Sequence, residues 1–511
     1  MSTSMDGYQP LLNKHEIGFQ KERKNYAAVI YALLASLSSA MAGYCCGVMS
    51  GAVLFIKDDL KIDESQVELL MGSIVMVSLI GGLVTGVFAD AIGRRKTMLV
   101  GASVVFFGCM MMGFAPSYAV LLTGRILTGI GIGFSYVIVP LYITELSPPE
   151  SRGMLSSFPE IFINSGIVLG YVSSLCLSGL PISINWRLML VLGAMPAIVL
   201  VCSVLILPES PRWLVVKNRN EEALSVLIMT STDSSEAEIR LQDIVLAVDV
   251  PKQWHEQSFA KLDKVEAGDA SNLGLEKAVI HPQKIHGVTI WSELFWPSPQ
   301  ICKILFIALG LQFFQQASGV AAMIYYTPFV FAKAGLESKV GDLGATVAVG
   351  IAKTAFILVA TLLLDRSGRR PLLLISNLGM TISMLTLGTS FLFVDPGLSA
   401  KQLETPNALV APLAVGATFS FFAFFSMGYG PICALLPTEI FPLRLRARGM
   451  SLTMALNRTL SGIISLTFLS IMDVLTPAGT FFLFAGMTVL SIIFVYLFVP
   501  ETKGRSLEEM S

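Results

Sequence analysis

Asp90-Ala-Ile-Gly-Arg-Arg95 (DAIGRR) returns as Asp365-Arg-Ser-Gly-Arg-Arg370 (DRSGRR), an offset of 275 residues from 90 to 365. Each copy sits between two apolar runs of roughly 20 residues, the length at which a helix crosses the hydrocarbon core of a bilayer. A charged hexapeptide in that position, found twice, implies a duplicated membrane unit. Two further pairs keep the same order. ELSPPESRG (Glu145–Gly153) answers to EIFPLRLRARG (Glu439–Gly449), 294 residues on from 145 to 439. In both, an acid precedes a base by seven positions: Glu145 with Arg152, and Glu439 with Arg446. PESPR (Pro208–Arg212) answers to PETKGR (Pro500–Arg505), 292 residues on from 208 to 500. The offset lengthens between the first and second pairs, where VDPGLSAKQLETPN enlarges a loop.

Outward from these motifs, apolar runs predict twelve spans at about 27–50, 67–89, 97–115, 119–143, 156–179, 187–207, 302–331, 343–364, 371–394, 409–436, 450–472 and 479–499. The organisation that follows is an N-terminal segment 1–25, a six-helix half 26–207, a linker 208–300, a second six-helix half 301–499 and a tail 500–511. An even number of crossings puts both termini on one side. Basic clusters agree: KHEIGFQKERK before the first span, GRRK after the second and RSGRR after the eighth share a face, while the opposite loop KDDLKIDESQ is net acidic. Positive charge is retained inside, so both termini are expected in the cytoplasm. The first 25 residues are polar and lead straight into a full-length span, unlike a cleavable signal. Charged and amphipathic pieces in 208–300 predict short cytoplasmic helices. The expected fold class is an all-α membrane protein with parallel six-helix repeats, the arrangement of major facilitator transporters, whose substrate site lies between the halves near the midplane.

Composition supports the class and excludes others. The 511 residues are 54% hydrophobic and 14% charged, with mean hydropathy +0.70. Soluble domains carry about 25% charged residues. A net charge of −1 gives no electrostatic footprint for nucleic acid. The seven cysteines, at 45, 46, 109, 176, 202, 302 and 433, form no CxxC and lie beside no histidine cluster, so they read as packing residues rather than zinc ligands or disulfides. The four histidines and the few intramembrane carboxylates have no catalytic or metal-binding spacing. No enzyme, cofactor or metal is expected.

The ordered set Gly93-Arg94-Arg95, PESPRW (Pro208–Trp213), QQASG (Gln315–Gly319), Gly368-Arg369-Arg370 and PETKGR resembles the sugar-porter branch of the major facilitator superfamily over nearly the whole chain. Within that branch, SSFPEIFINSGIVLGYVS, FFQQASG, ATVAVGIAKTAFILVATLLLDRSGRRPLLL and EIFPLRLRARG look like the plant polyol/monosaccharide transporters. The resemblance implies proton symport of linear polyols, inositol or monosaccharides by alternating access. A monomer in the lipid of the plasma membrane is expected, with the vacuolar membrane as the alternative.

It also implies a site. A neutral polyhydroxylated solute needs amides and carboxylates for paired hydrogen bonds. By resemblance Gln315, Gln316 and Asn457 contact hydroxyls. Glu160 and Lys353 replace amides of other sugar porters. Ionisable residues inside spans default to functional roles, and opposite signs in opposite halves suggest pairing across the cavity. Tyr325 and Tyr326 are expected at the extracellular gate. Ala321 and Ala434 stand where the family carries a polar residue and a tryptophan. Asp90, Arg94, Arg95, Glu145, Arg152, Glu209, Arg212, Asp365, Arg369, Arg370, Glu439, Arg446 and Glu501 match cytoplasmic salt-bridge motifs that hold the outward-facing state. The family's proton-carrying Asp of the first span is Cys45 here, while its Arg partner is present as Arg125. Glu160 is then the substitute proton carrier. The alternatives are an uncoupled uniporter, or a solute sensor built on the same scaffold.

Overall fold

The computed structural model describes residues 26–148, 151–231, 233–246, 297, 299–335, 338–393, 407–441 and 443–501, and every long apolar run within them is helical. Lipid offers backbone groups no partners, so a single segment crosses as a helix that satisfies its own. The first half comprises α1 (Tyr26–Leu60), α2 (Glu64–Ile92), α3 (Arg94–Gly113), α4 (Tyr118–Leu146), α5 (Arg152–Leu177) and α6 (Ile182–Ile206). The second opens with α7 (Ile301–Lys333), α8 (Lys339–Ser367), α9 (Arg369–Leu392) and α10 (407–440). The stretch Leu443–Phe498 bends at Thr476, whose φ of 66° precedes Pro477, and so divides into α11 (443–475) and α12 (477–498). Among the described residues eleven segments are long and apolar enough to cross a membrane, and the bend splits the last in two. That yields the twelve crossings expected from sequence.

Within the linker, Pro211–Val216, Asn220–Thr230 and 234–246 are short helices. Arg240 ties the last of them to the end of α4, donating through Nη2 to the carbonyls of Leu146 (3.1 Å) and Ser147 (3.2 Å). Burial there pulls its guanidinium below the usual arginine range. The segments 1–25, 247–296 and 502–511 lie outside the described residues.

The duplicated motif forms the same turn twice. Gly93 joins α2 to α3 with φ of 96°, and Gly368 joins α8 to α9 with φ of 83°. Side-chain-bearing residues rarely adopt that region. Space forbids a Cβ as well: it would stand 2.4 Å from Glu209 Oε2 at the first turn and 2.9 Å from Glu501 Oε2 at the second. Those carboxylates cap the following helices. Glu209 Oε1 accepts from the backbone N–H of Arg94 (2.8 Å) and Arg95 (3.1 Å). Glu501 accepts from the N–H of Arg369 and Arg370, both at 3.0 Å. An anion at a helix N-terminus meets unpaired donors and the positive end of the macrodipole.

On the opposite face of the protein α1–α6 meet α7–α12. Tyr171 Oη on α5 donates to the Ile324 carbonyl on α7 at 2.8 Å. The Lys339 ammonium of α8 pairs with Asp58 of α1. These links close the structure on the face away from the two glycine turns.

Candidate binding site

The spacing of Gln312, Gln315 and Gln316 places three amides on one side of α7. Asn457 of α11 meets all of them. Its Nδ2 donates to Gln312 Oε1 and Gln315 Oε1, each at 2.7 Å, and its Oδ1 accepts from Gln316 Nε2 at 3.1 Å. Gln312 Nε2 passes on to the Cys433 carbonyl at 2.8 Å. Gln315 Nε2 points at the carbonyls of Tyr429 (3.4 Å) and Gly430 (3.5 Å). These border a π-helical turn, Phe425–Tyr429, where the change of ladder register leaves carbonyls for outside donors. All four amides are less than 10% exposed, and within the cluster Gln316 Oε1 is the buried atom without a partner. A neutral, buried group of donors and acceptors suits hydroxyls better than charge.

Glu160 lies on α5, where its Oε1 accepts from Asn164 Nδ2 at 3.1 Å. Lys353, buried on α8, sets its ammonium 5.6 Å from the centre of the Phe422 ring, a cation–π contact. The two helices pack together, yet no ion pair joins Glu160 and Lys353 among the described residues. Ala321 is buried on α7 and offers no polar atom. The side chains of Ala434, Asp365 and Arg446 lie outside the described set.

The two tyrosines expected at the gate part company. Tyr325 Oη donates to Cys46 Sγ at 3.5 Å, from α7 to α1, and so joins the halves. Tyr326 Oη donates to the Ser465 carbonyl of α11 at 2.8 Å, and its ring lies 5.0 Å from that of Phe468, so it packs inside its own half.

Arg125 is fully buried on α4. Its Nη1 donates to the Cys45 carbonyl at 2.8 Å and its Nε to the Leu70 carbonyl at 3.3 Å, while Nη2 has no partner. The Cys45 thiol faces Cys109 instead, Sγ to Sγ 3.9 Å. No carboxylate answers Arg125 among the described residues.

The GRR motifs pair within each half. Arg94 binds Glu145 through two bonds (Nε to Oε2 2.9 Å, Nη2 to Oε1 3.0 Å) and Asp90 at 3.2 Å. Arg369 Nη2 binds Glu439 Oε1 at 2.9 Å. Arg95 Nε and Arg370 Nη2 each close on a backbone carbonyl, Val204 at 2.8 Å and Tyr496 at 2.6 Å. Arg152 and Arg212 are exposed and carry no ion pair among the described residues.

Three side chains at the site escaped the reading of the sequence. Gln312 carried a signal, being one turn before Gln315. Arg458 carried one too, as a charge inside a span; it lies 4.2 Å from the Tyr136 ring of α4 and so joins the halves. Cys46 carried none.

A family description, sugar (and other) transporter, matches residues 31–511. Polyol transporter 5 of Arabidopsis thaliana is 44% identical over 490 residues, covering 96% of this chain and 86% of the relative. Putative polyol transporter 2 of Arabidopsis thaliana is 46% identical, covering 94% and 89%. Among solved structures, the E. coli xylose transporter XylE in a partially occluded inward open conformation aligns with a TM-score of 0.73 at 25% identity, covering 94% of this chain and 100% of that one. The proton:xylose symporter XylE bound to 6-bromo-6-deoxy-D-glucose aligns at 0.70 and 26% identity, covering 95% and 98%. The chain belongs to the sugar (and other) transporter family, and its fold is that of the major facilitator superfamily.

Proposed function

We propose that this chain carries polyols and related monosaccharides across the plasma membrane by alternating access, in symport with protons. The observation that carries the reading is the neutral amide cluster of Gln312, Gln315, Gln316 and Asn457, whose hydrogen bonds can be exchanged one by one for solute hydroxyls. Glu160 and Lys353 complete the pocket from α5 and α8. Tyr325 against Cys46 shuts the extracellular mouth, with Tyr326 as its brace. Both termini and the GRR turns face the cytoplasm. The halves 26–207 and 301–499 move as units, and one chain is the working unit. Arg94–Glu145 and Arg369–Glu439 each lie within one half and are largely shielded from water, so they brace the inner ends of helices that move as a unit. Cys45 has no carboxylate to offer Arg125, so Glu160 takes the proton.

Uptake of labelled mannitol, sorbitol, inositol, xylose and glucose in a transport-null host, at two external pH values, tests the reading. Polyol uptake that rises on acidification, alkalinises the medium and falls in Gln315→Ala and Glu160→Gln is expected. Uptake indifferent to the pH gradient leaves a uniporter. No uptake of any of the five from a chain correctly placed in the membrane leaves a sensor.

A further inference from the structure

Glu68 is a carboxylate that none of these roles uses. It lies one turn inside α2 at the face away from the GRR turns and is only 4% exposed. It has no salt bridge among the described residues. Both oxygens are instead held from the other half: Ser470 of α11 donates its backbone N–H to Oε1 at 2.8 Å and its hydroxyl to Oε2 at 2.6 Å. Nothing within α2 replaces these donors. Taking a carboxylate out of water costs several kcal/mol unless it is paired or well hydrogen-bonded, and hydrogen bonds to a charged group are worth about 1.5–3 kcal/mol each. The bonds exist only while α2 and α11 are together. When the halves part, Glu68 regains water and Ser470 loses its acceptor.

The other polar links between the halves at this end are of different kinds, and in one of them Tyr171 Oη donates to the Ile324 carbonyl at 2.8 Å without any charge. Lys339 and Asp58 are both exposed, with side chains 45% and 51% accessible, and such a pair contributes little. Tyr325 and Cys46 lie deeper, as a neutral and weak contact.

We propose that Glu68 and Ser470 form the latch that holds the extracellular face shut, with Glu68 a positioning residue of the transport cycle. The proposal rests on the alternating-access reading above. It also explains why an acid sits there. A neutral side chain would be buried comfortably whether or not it met Ser470, whereas a buried carboxylate makes closure depend on correct docking of α11.

Cys46 is the reporter. It is 6% exposed and lies against Tyr325, at a contact between the halves. In a full-length chain with the exposed cysteines Cys176, Cys202 and Cys302 replaced by serine, a membrane-impermeant methanethiosulfonate added outside reaches Cys46 only when the face opens. A parallel Cys46→Ser chain fixes the background. Ser470→Ala leaves the buried carboxylate short of a donor and is expected to label about tenfold faster than the parent. Glu68→Asp, which withdraws the carboxylate by one methylene, is expected to label faster as well. Glu68→Leu combined with Ser470→Ala removes the stranded charge, and labelling is expected to fall back toward the parental rate. A loosened fold would not respond in this way, because a second lesion would loosen it further. Labelling of Ser470→Ala at the parental rate overturns the latch, as does a double variant that labels as fast as Ser470→Ala. The labelling reads the gap between the halves whether or not solute is carried. If uptake fails in the parent while the labelling pattern holds, the transport reading falls and the latch stands.

Discussion

At the scale of single residues, the site is a set of amides bound to each other. Asn457 holds it together, using both of its N–H donors and its carbonyl. Asn457→Ala strands Gln312 Oε1 and Gln315 Oε1, and an unsatisfied buried polar atom costs about 1–3 kcal/mol. Uptake measured against polyol concentration should show KM raised roughly tenfold or more. Asn457→Asp should be worse, since a carboxylate has no proton to donate to two glutamine oxygens. An Asp variant with parental KM would remove Asn457 from the site. Arg125 supports a second expectation. Its unpartnered Nη2 and its bond to the Cys45 carbonyl put a cation beside the position of a lost acid, so Cys45→Asp should make uptake more strongly dependent on external pH than in the parent. An unchanged pH profile would deny that position any part in coupling. Sequence exposed Gln315, Gln316 and Asn457 through a motif, but not the bonding among them, because Gln312 and Asn457 are 145 residues apart. It likewise assigned Tyr325 and Tyr326 one role, though only Tyr325 crosses between halves. Which of two neighbours on a helix faces the partner depends on helix rotation, and an all-apolar helix does not reveal its rotation in its pattern.

At the scale of elements, α1 and α5 pack along a close seam. A Cβ on Gly47 would stand 2.3 Å from the Ile167 carbonyl, and one on Gly166 would stand 2.1 Å from the Ala40 carbonyl. In lipid, helices associate through close backbone approach at small residues, because apolar side chains gain nothing over lipid tails. Gly47→Ala should therefore force α1 and α5 apart at a cost of ~1–3 kcal/mol and lower the melting temperature of the purified protein. A Cβ on Gly86 of α2 would meet nothing within 4 Å, and Gly86→Ala should be neutral or stabilising by up to ~1 kcal/mol. Equal melting of the two variants would mean that the seam is not tight. Gly43, Gly47 and Gly51 recur every four residues, but that spacing names no partner helix, since every span of this composition offers glycines.

At the scale of the whole molecule, hydropathy and charge run along the chain and are readable without a partner, which is why twelve crossings and their duplication were legible. Contacts between halves depend on the state of the cycle, and no linear pattern encodes them. The duplication reaches the hydrogen bonds, with Glu209 and Glu501 capping equivalent helices. Glu209→Gln and Glu501→Gln should then weaken the protein by similar amounts, about 0.3–2 kcal/mol each, and their effects on melting should add because the sites lie in separate halves. Strong non-additivity would show that the two ends communicate directly. The amide cluster has a consequence for traffic. Amides that bind one another satisfy their own donors and acceptors, so each solute hydroxyl replaces a bond already made rather than rescuing a stranded group. Asn457 answers all three glutamines, so a solute gains little at each exchange and should be released as readily as it is held.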